Sequence, residues 1–190
     1  KDLFKSDKKA FGDALCRSFR ETGFAVVSGH TVDQGVIDRN LDATKAFFAL
    51  PDAEKLKYDG RQGGGQRREK KNGTENAKGN AHADLKEFWH TGRALPEDSP
   101  YRATMADTPS VPEVPAFDGA TTALFDALDE MGREILEGVA LHLGLAEDWF
   151  DDKVNFGNSI LRLLHYPPQQ TPPPAGTVRA ARMRIFFFFF

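Results

Sequence analysis

A single cysteine, Cys16, stands among the 190 residues. No internal disulfide can form, and that scarcity fits a reducing, cytoplasmic setting. Within FGDALCRSF the thiol falls at a helical spacing, which reads as a buried structural group rather than a nucleophile. Long apolar runs are missing too. No stretch approaches the roughly 20 residues that a membrane helix needs. No signal-peptide pattern is expected at the start, where the first residue is Lys1 rather than Met. Nor is there a large excess of one charge. The 25 Lys and Arg against 28 Asp and Glu leave a net charge of −3, which favours neither a nucleic acid nor a membrane surface as partner. What is present, 40% hydrophobic and 28% charged residues, suits one globular domain with a sizeable core.

Residues 7–22 predict an amphipathic helix, with Phe11, Leu15, Ser18 and Phe19 on one face and Gly23 as its stop. FAVVS (24–28) is short, apolar and β-branched, and predicts a buried strand. Thr31 and Gln34 form a capping-box pattern for a helix carrying Ile37, Leu41, Thr44, Phe47 and Phe48. Pro51 ends that helix and can seat a short one over 51–58. From Gly60 to Asn80, glycine and polar residues predict a loop. DLKEFWHTG (84–92) is compatible with strand or irregular structure. Pro96, Pro100, Pro109, Pro112 and Pro115 exclude a regular element over 95–115. A long helix is predicted over about 119–143, with Leu124, Leu128, Met131, Ile135, Leu136, Val139 and Leu143 as its core stripe and Gly144 as its stop. AEDWFDD reads as a helical turn, and ILRLLHY (160–166) as a strand broken by Pro167 and Pro168. No internal repeat and no second domain is evident.

The ordered blocks GFAVVSGHTV, AFFALP, KLKY, AKGNAHADLKEFWHTGR and LRLLHYPP resemble the isopenicillin N synthase-like family of Fe(II)- and 2-oxoglutarate-dependent oxygenases. The resemblance runs from about Leu3 to Ala181. It implies an α+β fold in which a helical N-terminal portion packs on an incomplete double-stranded β-helix, a jelly-roll-like barrel. Residues 1–155 are then the helical portion, with a flexible loop at 60–80. Residues 156–181 are the first barrel strands, and 182–190 an aberrant tail. Fe(II) and usually 2-oxoglutarate are the implied cofactors. A small molecule is the implied substrate, hydroxylated, desaturated or cyclised at a C–H bond. No nucleic-acid or membrane partner is expected.

Such oxygenases hold iron with His-x-Asp and a distant His, leaving other positions open. In the family a VRAA-like strand leads into that pair, but no His or Asp follows Ala181. The sequence runs on instead as RMRIFFFFF, and REKKN (68–72) replaces a Gly-Tyr-x-Pro-like motif. Both departures read as local frame or sequence errors, or as a genuine truncated product. As written, the polypeptide is expected to be inactive, and its incomplete barrel to self-associate or aggregate. One literal match exists, His82-Ala83-Asp84, with His142 or His165 as a third ligand. Metal sites keep their ligands on rigid elements with a supporting shell. This pair sits in a polar loop, so His82 and Asp84 read as a decoy, and His142 and His165 as packed or solvated. His30 matches a Gly-His element and is expected to orient its turn through a ring hydrogen bond. His90, beside Trp89, reads as packing.

Alternation along a strand puts Arg162, Leu164 and Tyr166 on one face. An Arg and a Tyr turned into a cavity can hold a carboxylate through charge-assisted hydrogen bonds. The resemblance implies a co-substrate or substrate contact for Tyr166, and matches Arg162 to a basic position of some members. The blander alternative pairs Arg162 with a surface acid and leaves Tyr166 as a barrel plug. Leu164 stands where several plant-type members carry a polar residue. The competing class is non-catalytic: a truncated pseudo-enzyme, or a binding module using the basic loop 61–78. That loop sets Arg61, Arg67, Arg68, Lys70, Lys71 and Lys78 against Glu69 and Glu75, a balance of +4. Glycine-rich basic segments can follow a phosphate backbone. This one has no aromatic residue for stacking and no Gly-Lys-Ser/Thr ending, so a solvated loop is the simpler reading.

Overall fold

Asp7 opens the first long helix in the computed structural model, which describes residues 2–58 and 86–168. Its carboxylate accepts from the Ala10 amide at 2.9 Å, satisfying a donor that the helix itself cannot. The short α1 (Asp2–Ser6) leads into this α2 (Lys8–Thr22), and Phe4 meets Phe11 edge-on at 5.4 Å. Gly23, at φ 79°, turns the chain out of α2 by the left-handed route. Helix α3 (Gln34–Phe48) is capped by Asp33 rather than Thr31. Both residue types can cap, but only Asp33 stands immediately before the first turn, where its oxygen reaches the Val36 amide at 3.2 Å. Thr31 instead donates to Glu134 at 3.2 Å.

After Pro51, α4 (Asp52–Lys55) tightens into a 3-10 turn at Leu56–Tyr58. Tyr58 donates to Glu113, and burial together with that carboxylate pushes its phenol up to about 12. Strand β1 (Glu87–Gly92) comes next, then the proline-rich stretch with one 3-10 turn at Pro100–Ala103. Helix α5 spans Phe117–His142, beginning slightly before its expected start, and Gly144 at φ 74° follows it. A single turn, α6 (Asp151–Val154), precedes β2 (Ile160–His165). The two strands pair antiparallel, with Glu87 opposite His165 and His90 opposite Arg162.

Helix α5 is the spine. Helix α2 crosses it where Gly12 meets Gly138: a Cβ on Gly12 would lie 1.9 Å from the Gly138 carbonyl oxygen. Only hydrogen fits there. The rim of this crossing is polar, with Lys8 2.7 Å from Glu137 and His142 Nδ1 2.6 Å from Asp13. On its other flank α5 joins α3 and the sheet through an aromatic core. Phe47, Trp89 and Phe117 are fully buried. Phe47 stacks on Phe117 at 4.7 Å and meets Trp89 edge-on at 4.9 Å, geometries that add to the area they bury.

Several expectations change. Residues 24–28 form no strand, and Val26 is 96% exposed. A strand exists through the ladder it shares, and among the described residues none lies alongside. The Phe24 carbonyl accepts instead from the Ser18 and Thr22 hydroxyls. The α5 stripe also differs: Leu124 is buried, whereas Leu128 and Leu143 are exposed, and Phe125, Gly138 and Ala140 join the interior. Packing α2 on one flank and α3 with the sheet on the other buries two partial faces rather than one stripe. The mixed helix-and-strand class stands. Among the described residues the strands make one two-stranded sheet and no barrel.

Candidate functional site

The β1–β2 sheet has two unlike faces. Glu87, Trp89 and Thr91 pair with His165, Leu163 and Leu161, and this face closes onto α3 and α5. Lys55 lies 2.8 Å from Glu87 Oε2, and His165 Nδ1 lies 2.6 Å from Oε1, so both carboxylate oxygens are engaged. Burial is the largest single influence and works against the Lys55 charge, but the Glu87 and Asp52 carboxylates together outweigh it and hold the amine above its ordinary value. His165 also stacks on Phe48 at 5.1 Å. It is a packed histidine.

Phe88 and His90 pair on the opposite face with Leu164 and Arg162. Here Arg162 Nε donates to His90 Nε2 at 2.6 Å, and its guanidinium lies 4.6 Å from the Phe88 ring centre. Phe88 and His90 are buried, while Arg162 and Leu164 remain exposed. Tyr166 is half-buried just past the end of β2. A cleft of about 320 Å³ opens between α5 and the start of β2, lined by Phe125, Asp129, Arg133, Leu136, Ile160 and Arg162 among others. Asp129 is forked by Arg93, whose Nη1 and Nη2 lie 3.0 and 2.6 Å from its two oxygens. Those bonds hold the Asp129 carboxyl below the usual range against the opposing effect of burial. Arg93 Nε also donates to the Gly157 carbonyl at 3.2 Å, so one side chain ties the end of β1 to α5 and to the turn before β2.

The expected ligands come together only in part. Arg162 and Tyr166 sit at and just beyond β2, the first with its guanidinium on the outer face. His142 is spent on Asp13 and His165 on Glu87. His30 is exposed beside a small cleft of about 60 Å³, and its ring makes no hydrogen bond to a described residue, unlike the turn-orienting role expected. His82, Asp84, the basic loop 61–78 and the tail 182–190 lie outside the described residues. Among the described residues no three of His, Cys, Asp and Glu converge to hold a metal, so they do not supply an iron site. Two features were missed from sequence: the His90 contact with Arg162 and the Arg93–Asp129 fork. The first was within reach, since pairing β1 with β2 sets those residues opposite each other. The second joins residues 36 apart and carries no local signal. No described helix is long and apolar enough to cross a membrane.

Residues 2–114 match the family model described as the N-terminal region of non-haem dioxygenases in morphine synthesis. The chain belongs to the Fe(II)/2-oxoglutarate-dependent oxygenases. Among curated oxygenases, the 2-oxoglutarate-Fe(II) type oxidoreductase hxnY of Emericella nidulans is 29% identical over 154 residues, 77% of this chain and 44% of that protein. A 2-oxoglutarate-dependent dioxygenase of Aspergillus niger, caaD, is 30% identical over 77% of this chain and 46% of its own length. A solved structure named for the 2OG-Fe(II) oxygenase family, from Caulobacter crescentus, superposes with a TM-score of 0.83 at 46% identity, covering 91% of this chain and 56% of that one. A full-length Neurospora crassa protein solved in complex with alpha-KG shares the fold, with a TM-score of 0.73 at 23% identity over 87% of this chain and 53% of its own. This oxygenase chain spans about half the length of the curated relatives it matches.

Proposed function

We propose that this chain forms the helical support and opening strands of an oxygenase that oxidises a small molecule, and that the outer face of β1–β2 receives the ligand. The observation that carries this reading is the Arg162 guanidinium laid over Phe88 on that face, next to a cleft of about 320 Å³. That volume lies at the lower end of the roughly 300–1,000 Å³ range of small-molecule sites. Arg162 binds an anionic group of the ligand by charge-assisted hydrogen bonds, and Tyr166, at the end of the same strand, orients it. In a family member Fe(II) and 2-oxoglutarate supply the oxidising power, while the protein positions the substrate and excludes side reactions.

The described histidines are committed to Asp13, Glu87 and Arg162 or are exposed, and the one His-x-Asp sequence is His82-Ala83-Asp84. On that basis the 190-residue polypeptide by itself does not turn over. Its exposed Phe24, Val26 and Leu164 favour self-association, which a single monomeric species in light scattering would rule out. The function test supplies the chain with Fe(II) and 2-oxoglutarate, measures succinate, and separately measures binding of small carboxylic acids. Expected are succinate no higher than with free iron and saturable acid binding that Arg162→Gln combined with Tyr166→Phe abolishes. Catalytic succinate release would refute the inactivity. Acid binding indifferent to the double change would remove this face from the site.

A further inference from the structure

His90 faces Arg162 directly in the antiparallel register and is only 4% exposed. An arginine can only donate, so at 2.6 Å His90 Nε2 must accept from Arg162 Nε, and the neutral ring carries its proton on Nδ1. The Phe88 and His90 rings lie 4.9 Å apart, and the guanidinium sits 4.6 Å above the first. A long, flexible side chain is thus steered at one nitrogen by an acceptor and along its plane by an aromatic ring. With Nε directed at His90, the two terminal nitrogens form the leading edge, the fork whose spacing matches a carboxylate. A guanidinium has five donors and serves several acceptors together, so other protein contacts are compatible with this role. The adjoining cleft has a positive bias. Arg133 and Arg162 both line it against the single carboxylate of Asp129, which Arg93 forks and Arg133 also approaches at 3.5 Å.

We propose that His90 is a positioning residue that presents Arg162 to an acidic group, so that the primary substrate of this face carries a carboxylate. The proposal rests on the outer face being the ligand face. It adds a substrate class and a residue that shapes it.

The test uses the whole chain and titrates benzoate, phenylacetate and hexanoate, each beside its primary amide, by ligand-observed NMR. Wild type is expected to favour the acids by about tenfold or more. His90→Gln keeps an acceptor near the place of Nε2 and stays close to wild type. His90→Phe keeps ring bulk without the acceptor and loses about tenfold of the preference, with its thermal melt unchanged. Should that variant fail to fold, Arg162→Lys keeps the charge but has no Nε for His90 to align, and must lose the preference equally. An undiminished preference in folded His90→Phe, or in Arg162→Lys, overturns the role of His90. Equal binding of acids and amides overturns the substrate class. Competitive displacement of the acids by 2-oxoglutarate assigns the guanidinium to the co-substrate and overturns the substrate claim. Acid binding unchanged in Arg162→Gln would sink the ligand-face reading itself, an outcome distinct from the others.

Discussion

Leu163 and Leu164 are neighbours in β2, yet the first is 8% exposed and the second 45%. The partner strand differs in its contacts rather than its exposure, since Phe88, Trp89 and His90 are all buried. On one face, Trp89 and Leu163 close against Phe47 and Phe117. On the other, Phe88 and His90 carry Arg162 and an exposed leucine. Two-residue alternation commits one set of side chains to the aromatic core and leaves the other as the face we propose for ligand binding. The division is therefore a property of register: a slip of one residue would exchange the two sets. Two fixtures oppose such a slip, the Arg93 fork to Asp129 at one end of β1 and the Lys55–Glu87–His165 cluster at the other.

The sharpest way to break the comparison is Trp89→Ala, which empties the middle of the aromatic core. It should cost about 3–5 kcal/mol, enough to abolish a cooperative thermal transition in a marginal domain. Leu163→Ala should cost about 2–4 kcal/mol in urea unfolding, since the cavity it leaves is walled by rigid rings. Asp129→Asn removes one half of the fork and should cost about 1.5–3 kcal/mol. Its pH dependence has a definite sign. The Asp129 carboxyl in the folded protein titrates below its ordinary 3.8, so between the two values the unfolded chain binds the extra proton. The stabilisation is complete above the ordinary value and is lost as pH falls through the folded one. A stability-versus-pH curve for Asp129→Asn should lack that acid limb, and an unchanged curve would mean that the fork does not couple to folding. Leu164→Ala should shift stability by less than about 0.5 kcal/mol. A cost equal to that of Leu163→Ala would erase the distinction between the faces.

The helices were legible because their signals are local: apolar residues at helical spacing, and glycines after Thr22 and His142. The Thr31 reading failed by two positions because a capping box specifies a spacing, not which of two nearby oxygens reaches an amide. FAVVS failed for a different reason. Its composition reports an ability to pair, but pairing needs a second strand, and none of the described residues provides one. For the candidate site, alternation in LRLLHY correctly set Arg162 and Leu164 together and apart from Leu163. It could not show His90 beneath that arginine without the register of β1. Nor could it foresee that Lys55 and Glu87 would be buried as a pair, since a charged residue reads as surface until its partner is known.

The contact between Gly12 and Gly138 also bears on when the protein can fold. Lys8 meets Glu137, and Asp13 meets His142, across 129 residues of chain each. As the chain emerges from a ribosome, α2 is made before α5, and the groove that admits Gly12 does not exist until α5 has been synthesised. The apolar side of α2, including Leu15, must wait uncovered until α5 has been made. The formation of α2 and its docking are thus separated events, joined by contacts of high sequence separation.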